Sequence, residues 1–65
     1  MTIDPLKKLQ ILYSLEINWR IESFYDAGYT AMLGDDYNGF SYSGEFDTIE
    51  EAIDAIFKLA LERLI

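Results

Sequence analysis

Apolar positions near the start of the chain follow a helical period. In "DPLKKLQILYSLE" Leu6, Leu9 and Tyr13 recur at i, i+3 and i+7, and Leu12 and Leu15 widen the stripe. Asp4 can cap the free N–H groups, and Pro5 is already set for the first helical position. The spacing predicts a helix over roughly 4–16, with Lys7 and Lys8 on its solvent side. From Ile17 the period becomes two. Ile17, Trp19 and Ile21 alternate with Asn18, Arg20 and Glu22, which predicts a strand. "YDAG" at 25–28 supplies Asp and Gly for a tight hairpin, and "YTAML" at 29–33 reads as a second strand. "GDDYNG" carries the Asn38-Gly39 turn signal. In the "FSYSGEF" that follows, Phe40, Tyr42 and Phe46 alternate with Ser41, Ser43 and Glu45 as a third strand.

Thr48 stands three residues ahead of Glu51, the spacing of a capping box, and a helix is predicted from there to about Leu64. Its apolar positions, from Ile49 and Ala52 to Leu61 and Leu64, cover more than one stripe. The helix is therefore expected to touch the sheet, the first helix and a second subunit. The order α-β-β-β-α predicts a single α+β domain over 1–65, a three-stranded antiparallel meander with both helices packed on one face. The opposite face is then open. Eight of the ten aromatics lie between Trp19 and Phe46, and alternation sends some of them there. Trp19 is in the apolar phase of its strand and is expected in the core. Tyr37, between Asp36 and Asn38, either projects for binding or packs down to anchor its loop.

Composition limits what such a domain can be. A chain of 65 residues buries only about 60% of the surface its unfolded form exposes, so the core is thin. With 51% hydrophobic residues and 15% aromatics it is nonetheless a folding sequence. It has no cysteine, hence neither disulfides nor thiolate ligands, which suits an intracellular setting. The longest apolar run near the N-terminus is too short for a signal-peptide core or a membrane span, and a soluble cytoplasmic protein is expected.

Charge sharpens the picture. Net charge is −7, yet Arg20 and Lys58 bracket thirty-seven residues that hold nine acids and no base. Such a field repels nucleic acid and membrane surfaces and draws in basic partners. The partner expected is a basic protein surface, that of a nuclease, a toxin or another nucleic-acid-binding protein, with no direct nucleic-acid or membrane contact. A plainer reading of the same acids is a solvated, solubilising face.

Catalytic chemistry is poorly provided for. Histidine and cysteine are absent, which removes the usual neutral-pH base, the ordinary zinc ligand sets and the common nucleophile arrangements. Sequence-adjacent carboxylates such as Asp35 and Asp36 diverge in direction. Asp36, Asn38, Gly39 and Glu45 fall at positions three, five, six and twelve of a calcium loop, but Gly34 occupies position one and the flanks read as strands. Gly34, Gly39 and Gly44 recur every five residues as turns and bulges and open no phosphate-binding helix. No enzymatic activity, cofactor or metal is expected.

From Gly28 to Ile56, "GYTAMLGDDYNGFSYSGEFDTIEEAIDAI" resembles the N-terminal part of HicB-like antitoxins, in which strands lead through a turn into a helix. Asp47, Thr48, Glu50, Glu51 and Ala52 match that helix opening. The likeness covers under half of the chain and implies toxin binding. In architecture alone, the order α-β-β-β-α is similar to that of some small acidic anti-CRISPR proteins of phages, which occupy a basic nucleic-acid channel. That implies carboxylates standing in for phosphates and aromatics for bases. The function expected is a non-catalytic inhibitor of a nucleic-acid-handling protein. Asp35, Asp36, Glu45 and Asp47 would supply charge, and Tyr37, Asn38 and Phe40 shape. The alternative is a homodimeric module that binds a small molecule or peptide on the open aromatic face, where Tyr42 would matter most.

Overall fold

The computed structural model describes residues 4–37 and 39–64, without the side chains of Tyr42, Ser43 and Leu64. Asn38, expected in the second turn and in the binding set, lies outside the described residues. The elements are α1 (Pro5–Ser14), β1 (Trp19–Phe24), β2 (Gly28–Asp35), β3 (Gly39–Phe46) and α2 (Ile49–Leu64). The strands form an antiparallel meander in the order β1-β2-β3, as the alternation predicts. The helices form one layer on it, and the shortest extent of the molecule is 17 Å.

Helix α1 starts at Pro5, but Asp4 contributes its backbone carbonyl, which accepts from the Lys8 N–H, and makes no side-chain cap. The buried face is also rotated from the expected stripe. Leu12 is fully buried and Leu9 packs on the core, whereas Leu6 and Tyr13 are 62% and 83% exposed. The cause is that α1 lies chiefly on α2 and reaches the sheet through Leu12. Lys8, expected toward solvent, is half-buried: it pairs with Asp54 and sits 5.7 Å from the centre of the Phe57 ring.

The end of α1 is a complete Schellman turn. The Ile17 N–H donates to the Leu12 carbonyl and the Glu16 N–H to that of Tyr13, while Ile17 packs on the core beside Leu12. Glu16 holds φ 61° there, where glycine is the usual residue. Glu16→Gly is therefore expected to raise stability by about 0.5–1 kcal/mol, the left-handed strain relieved less the extra unfolded-chain entropy of glycine. A thermal melt several degrees higher would confirm it, and an unchanged or lower midpoint would refute it.

The two hairpins are built alike. Residues 25–27 join Phe24 to Gly28, with the Ala27 N–H donating to the Phe24 carbonyl, and the second hairpin pairs Asp35 with Gly39. Both close on a glycine with positive φ, the pattern of a three-residue loop. In β1 and β2 the register sets Trp19, Ile21 and Ser23 opposite Leu33, Ala31 and Tyr29, all on the helix side. Arg20, Glu22 and Phe24 fall opposite Met32, Thr30 and Gly28 on the other side.

In β3 the simple alternation fails. The register slips between Ala31, opposite Gly44, and Met32, opposite Tyr42. This bulge inverts the phase of the strand, so Phe46 joins the core side beside Tyr29 while Phe40, opposite Gly34, belongs to the open face. Glu45 shares that open phase opposite Thr30.

The core consists of Leu12, Ala31, Leu33, Ala52, Ile56 and Ala60, walled by Ile17, Ile21, Tyr29, Phe46 and Phe57 among others. Ile53 is buried as well, while Ile49 and Leu61, part of the apolar surplus of α2, remain exposed. Three small alanines let α2 approach β2 closely. Trp19 departs from expectation: it has the core phase but remains 37% exposed, because β1 is an edge that α2 barely covers. Thr48 opens α2, its Oγ1 accepting from the Glu51 N–H at 3.2 Å and donating to the Glu51 carboxylate at 3.0 Å.

Candidate functional site

The acidic hairpin loop is organised from within by Asp35. One carboxylate oxygen accepts from the Tyr37 N–H at 2.9 Å, an Asx turn, and the other accepts from Asn18 Nδ2 at 2.6 Å. The Asn18 carbonyl in turn accepts from the Gly34 N–H at 2.8 Å. Asn18, just ahead of β1, is thus fastened to β2 on both its backbone and its side chain. Asp35 is half-buried in this network, so its first role is to shape the loop.

Asp36 and Tyr37 are displayed by that shape. The Asp36 side chain is 85% exposed and lies 3.6 Å from Arg20 Nη2. Tyr37 is 97% exposed, which decides between its two readings: the ring projects and does not anchor the loop. Phe40 is half-buried, with the Arg20 guanidinium 4.6 Å from its ring centre. Gly34 is the residue opposite Phe40, and Arg20, opposite Met32, reaches the ring from the neighbouring row.

Glu45 and Asp47 are exposed at the far end of β3. At ~3.3 Å per residue they stand roughly 15–25 Å along the chain from Phe40. The residues expected to act together therefore form two groups, one at each end of the β2–β3 hairpin. The charge segregation along the chain is likewise softened in space, since Arg20 meets Asp36 and Lys8 meets Asp54.

At the Glu45 end the structure sets beside Glu45 residues that the sequence alone does not single out. Glu22, Thr30 and Glu45 form one cross-strand row on the open face. With Phe24, Ala27 and Met32 they line a cavity of about 400 Å³. Glu22 could have been placed on this face from its alternation with Ile21, but its alignment with Glu45 depends on the bulge. Thr30 Oγ1 is buried and makes no hydrogen bond among the described residues.

Among the described residues no three carboxylates gather as metal ligands, and no helix is long and apolar enough to cross a membrane. What the face offers is exposed carboxylates, aromatic rings and a shallow apolar floor. No family model, curated protein or solved structure matches the chain.

Proposed function

We propose that this chain is a non-catalytic binding module that engages a basic surface of another protein, as an inhibitor of a nuclease, toxin or other nucleic-acid-handling partner would. The observation that supports it most is the distribution of charge over the sheet. Glu22, Asp26, Asp36, Glu45 and Asp47 are all exposed on the strands and loops, and Arg20, the one base in the segment 19–47, is held by Phe40 and Asp36. A partner rich in Lys and Arg would be steered to such a surface and held at its rim.

The test moves away from Asp35, whose replacement would disturb the loop. Asp36→Lys/Asp47→Lys changes exposed positions at both ends of the hairpin. The basic partner captured from lysate by the unaltered protein should release in about 0.5 M salt and bind this variant roughly tenfold or more weakly. Capture indifferent to both salt and charge reversal would sink the proposal.

The exposed ring of Phe24, at 46%, favours a second reading in which the open face is a homodimer seam or a ligand surface. Light scattering separates the two. A dimer that is stable in high salt and lost on Phe24→Ala would favour the seam.

A further inference from the structure

The open face of the sheet is divided. At its Asp36 end a guanidinium lies against an aromatic ring and beside a carboxylate, all three from this chain: Arg20, Phe40 and Asp36. The other end repeats the acceptors and the ring without a base. Glu22 and Glu45 flank Thr30 in one row, and Phe24 stands beside them. Partners in such a row are ~5 Å apart, so the two glutamates rise about 10 Å from each other and their side chains can converge over Thr30. Neither makes an ion pair among the described residues, and the Thr30 hydroxyl between them has no partner there. Ala27 and Met32 complete the apolar lining of the cavity of about 400 Å³.

We propose that this cavity receives an arginine side chain of the basic partner, an assignment that rests on the binding reading above. The exposed polar groups around it are the two carboxylates, both able only to accept hydrogen bonds, over a floor that holds the buried Thr30 hydroxyl. A guanidinium offers five donors in a planar fork, enough to engage both glutamates at once, and its flat face suits the Phe24 ring. A lysine ammonium reaches fewer of these acceptors at once and sheds its water less readily. Arg20 is engaged at the opposite end and leaves the cavity to an incoming side chain.

The probe is a capped hexa-arginine peptide titrated into the full chain and followed by amide chemical shifts. Shifts should concentrate at Glu22, Thr30, Met32 and Glu45. Capped hexalysine should bind at least about threefold more weakly, and hexacitrulline should leave the spectrum unchanged. Glu22→Gln/Glu45→Gln should weaken the arginine peptide by about tenfold or more, while Glu50→Gln/Glu62→Gln, which removes the same charge from α2, should change it less than about twofold. Phe24→Leu keeps an apolar wall and should cost about threefold. Equal losses from the two glutamine pairs would mean diffuse attraction and overturn the site, and equal binding of hexalysine would overturn the choice of arginine. The parent proposal fails separately. If the lysate partner is lost with Asp36→Lys/Asp47→Lys but unaffected by Glu22→Gln/Glu45→Gln, binding of a basic partner stands and this pocket does not.

Discussion

Gly34→Ala is expected to lower the unfolding free energy by about 3 kcal/mol or more, one of the largest effects available to a single methyl group in this chain. A Cβ at Gly34 would lie 2.1 Å from the Gly39 carbonyl oxygen and 3.1 Å from Phe40 Cα. Both are backbone atoms of the paired strand and cannot rotate aside. The φ of 119° adds strain that any L side chain would feel. A domain of this length has roughly 3–10 kcal/mol in all, so the variant should lose most of its cooperative melt. Gly39→Ala is the matched control in the same hairpin, because its φ is 88° but nothing lies within 4 Å of the added carbon. It should cost only the conformational part, about 1–2 kcal/mol. Urea titrations followed by circular dichroism give both values, and equal losses would show that the contact with Gly39 is not decisive.

Leu12→Ala is expected to cost about 2–4 kcal/mol. Leu12 is fully buried, and it links α1 to Ala31 and Leu33 of β2 and to Ala52, Ile56 and Ala60 of α2. Half of the cluster is alanine, which has no side-chain freedom with which to fill the space left behind. Leu6→Ala on the same helix should cost less than about 0.5–1 kcal/mol, since that side chain is 62% exposed. The midpoint of urea unfolding distinguishes the two variants. Similar shifts would mean that α1 is held along a broader face than Leu12 and Leu9 provide.

The comparison of Leu6 with Leu12 also marks where periodicity stops being informative. Both belong to one apolar stripe in the sequence, and what chooses between them is the identity of the opposing surface. That surface is α2, more than forty residues away. Strand order, the two hairpins and the start of α2 at Thr48 rest on local signals, and these were legible. Phe46 and Phe40 were not separable. They share a phase in the sequence and part company only because the bulge near Gly44 adds a residue to β3. Gly44 was legible as a bulge glycine, but not the position at which it would shift the register.

The candidate site was legible to the same degree. Asp36, Glu45 and Asp47 are exposed as acidic residues in turns and at strand ends generally are, whereas the choice between a projecting and a packed Tyr37 was not legible. Asp35, their neighbour in sequence, turns inward because Asn18 and the Tyr37 N–H claim both of its oxygens. Arg20 delimits an acidic stretch in the chain, yet in the fold it crosses the sheet to Asp36 and Phe40. Linear charge counts could not anticipate that, since it depends on the strand register. The Glu22–Thr30–Glu45 row was hidden for the same reason.

The chain has one tryptophan, and at 37% exposure Trp19 already meets water in the folded state. Its indole emission should therefore move little toward the red when the protein unfolds, making intrinsic fluorescence a weak gauge of global melting. The same position makes it a sensitive optical reporter for the β1 edge. Dissolved iodide should quench it in the free protein, and a ligand that shields this edge should protect it, even when the backbone does not move.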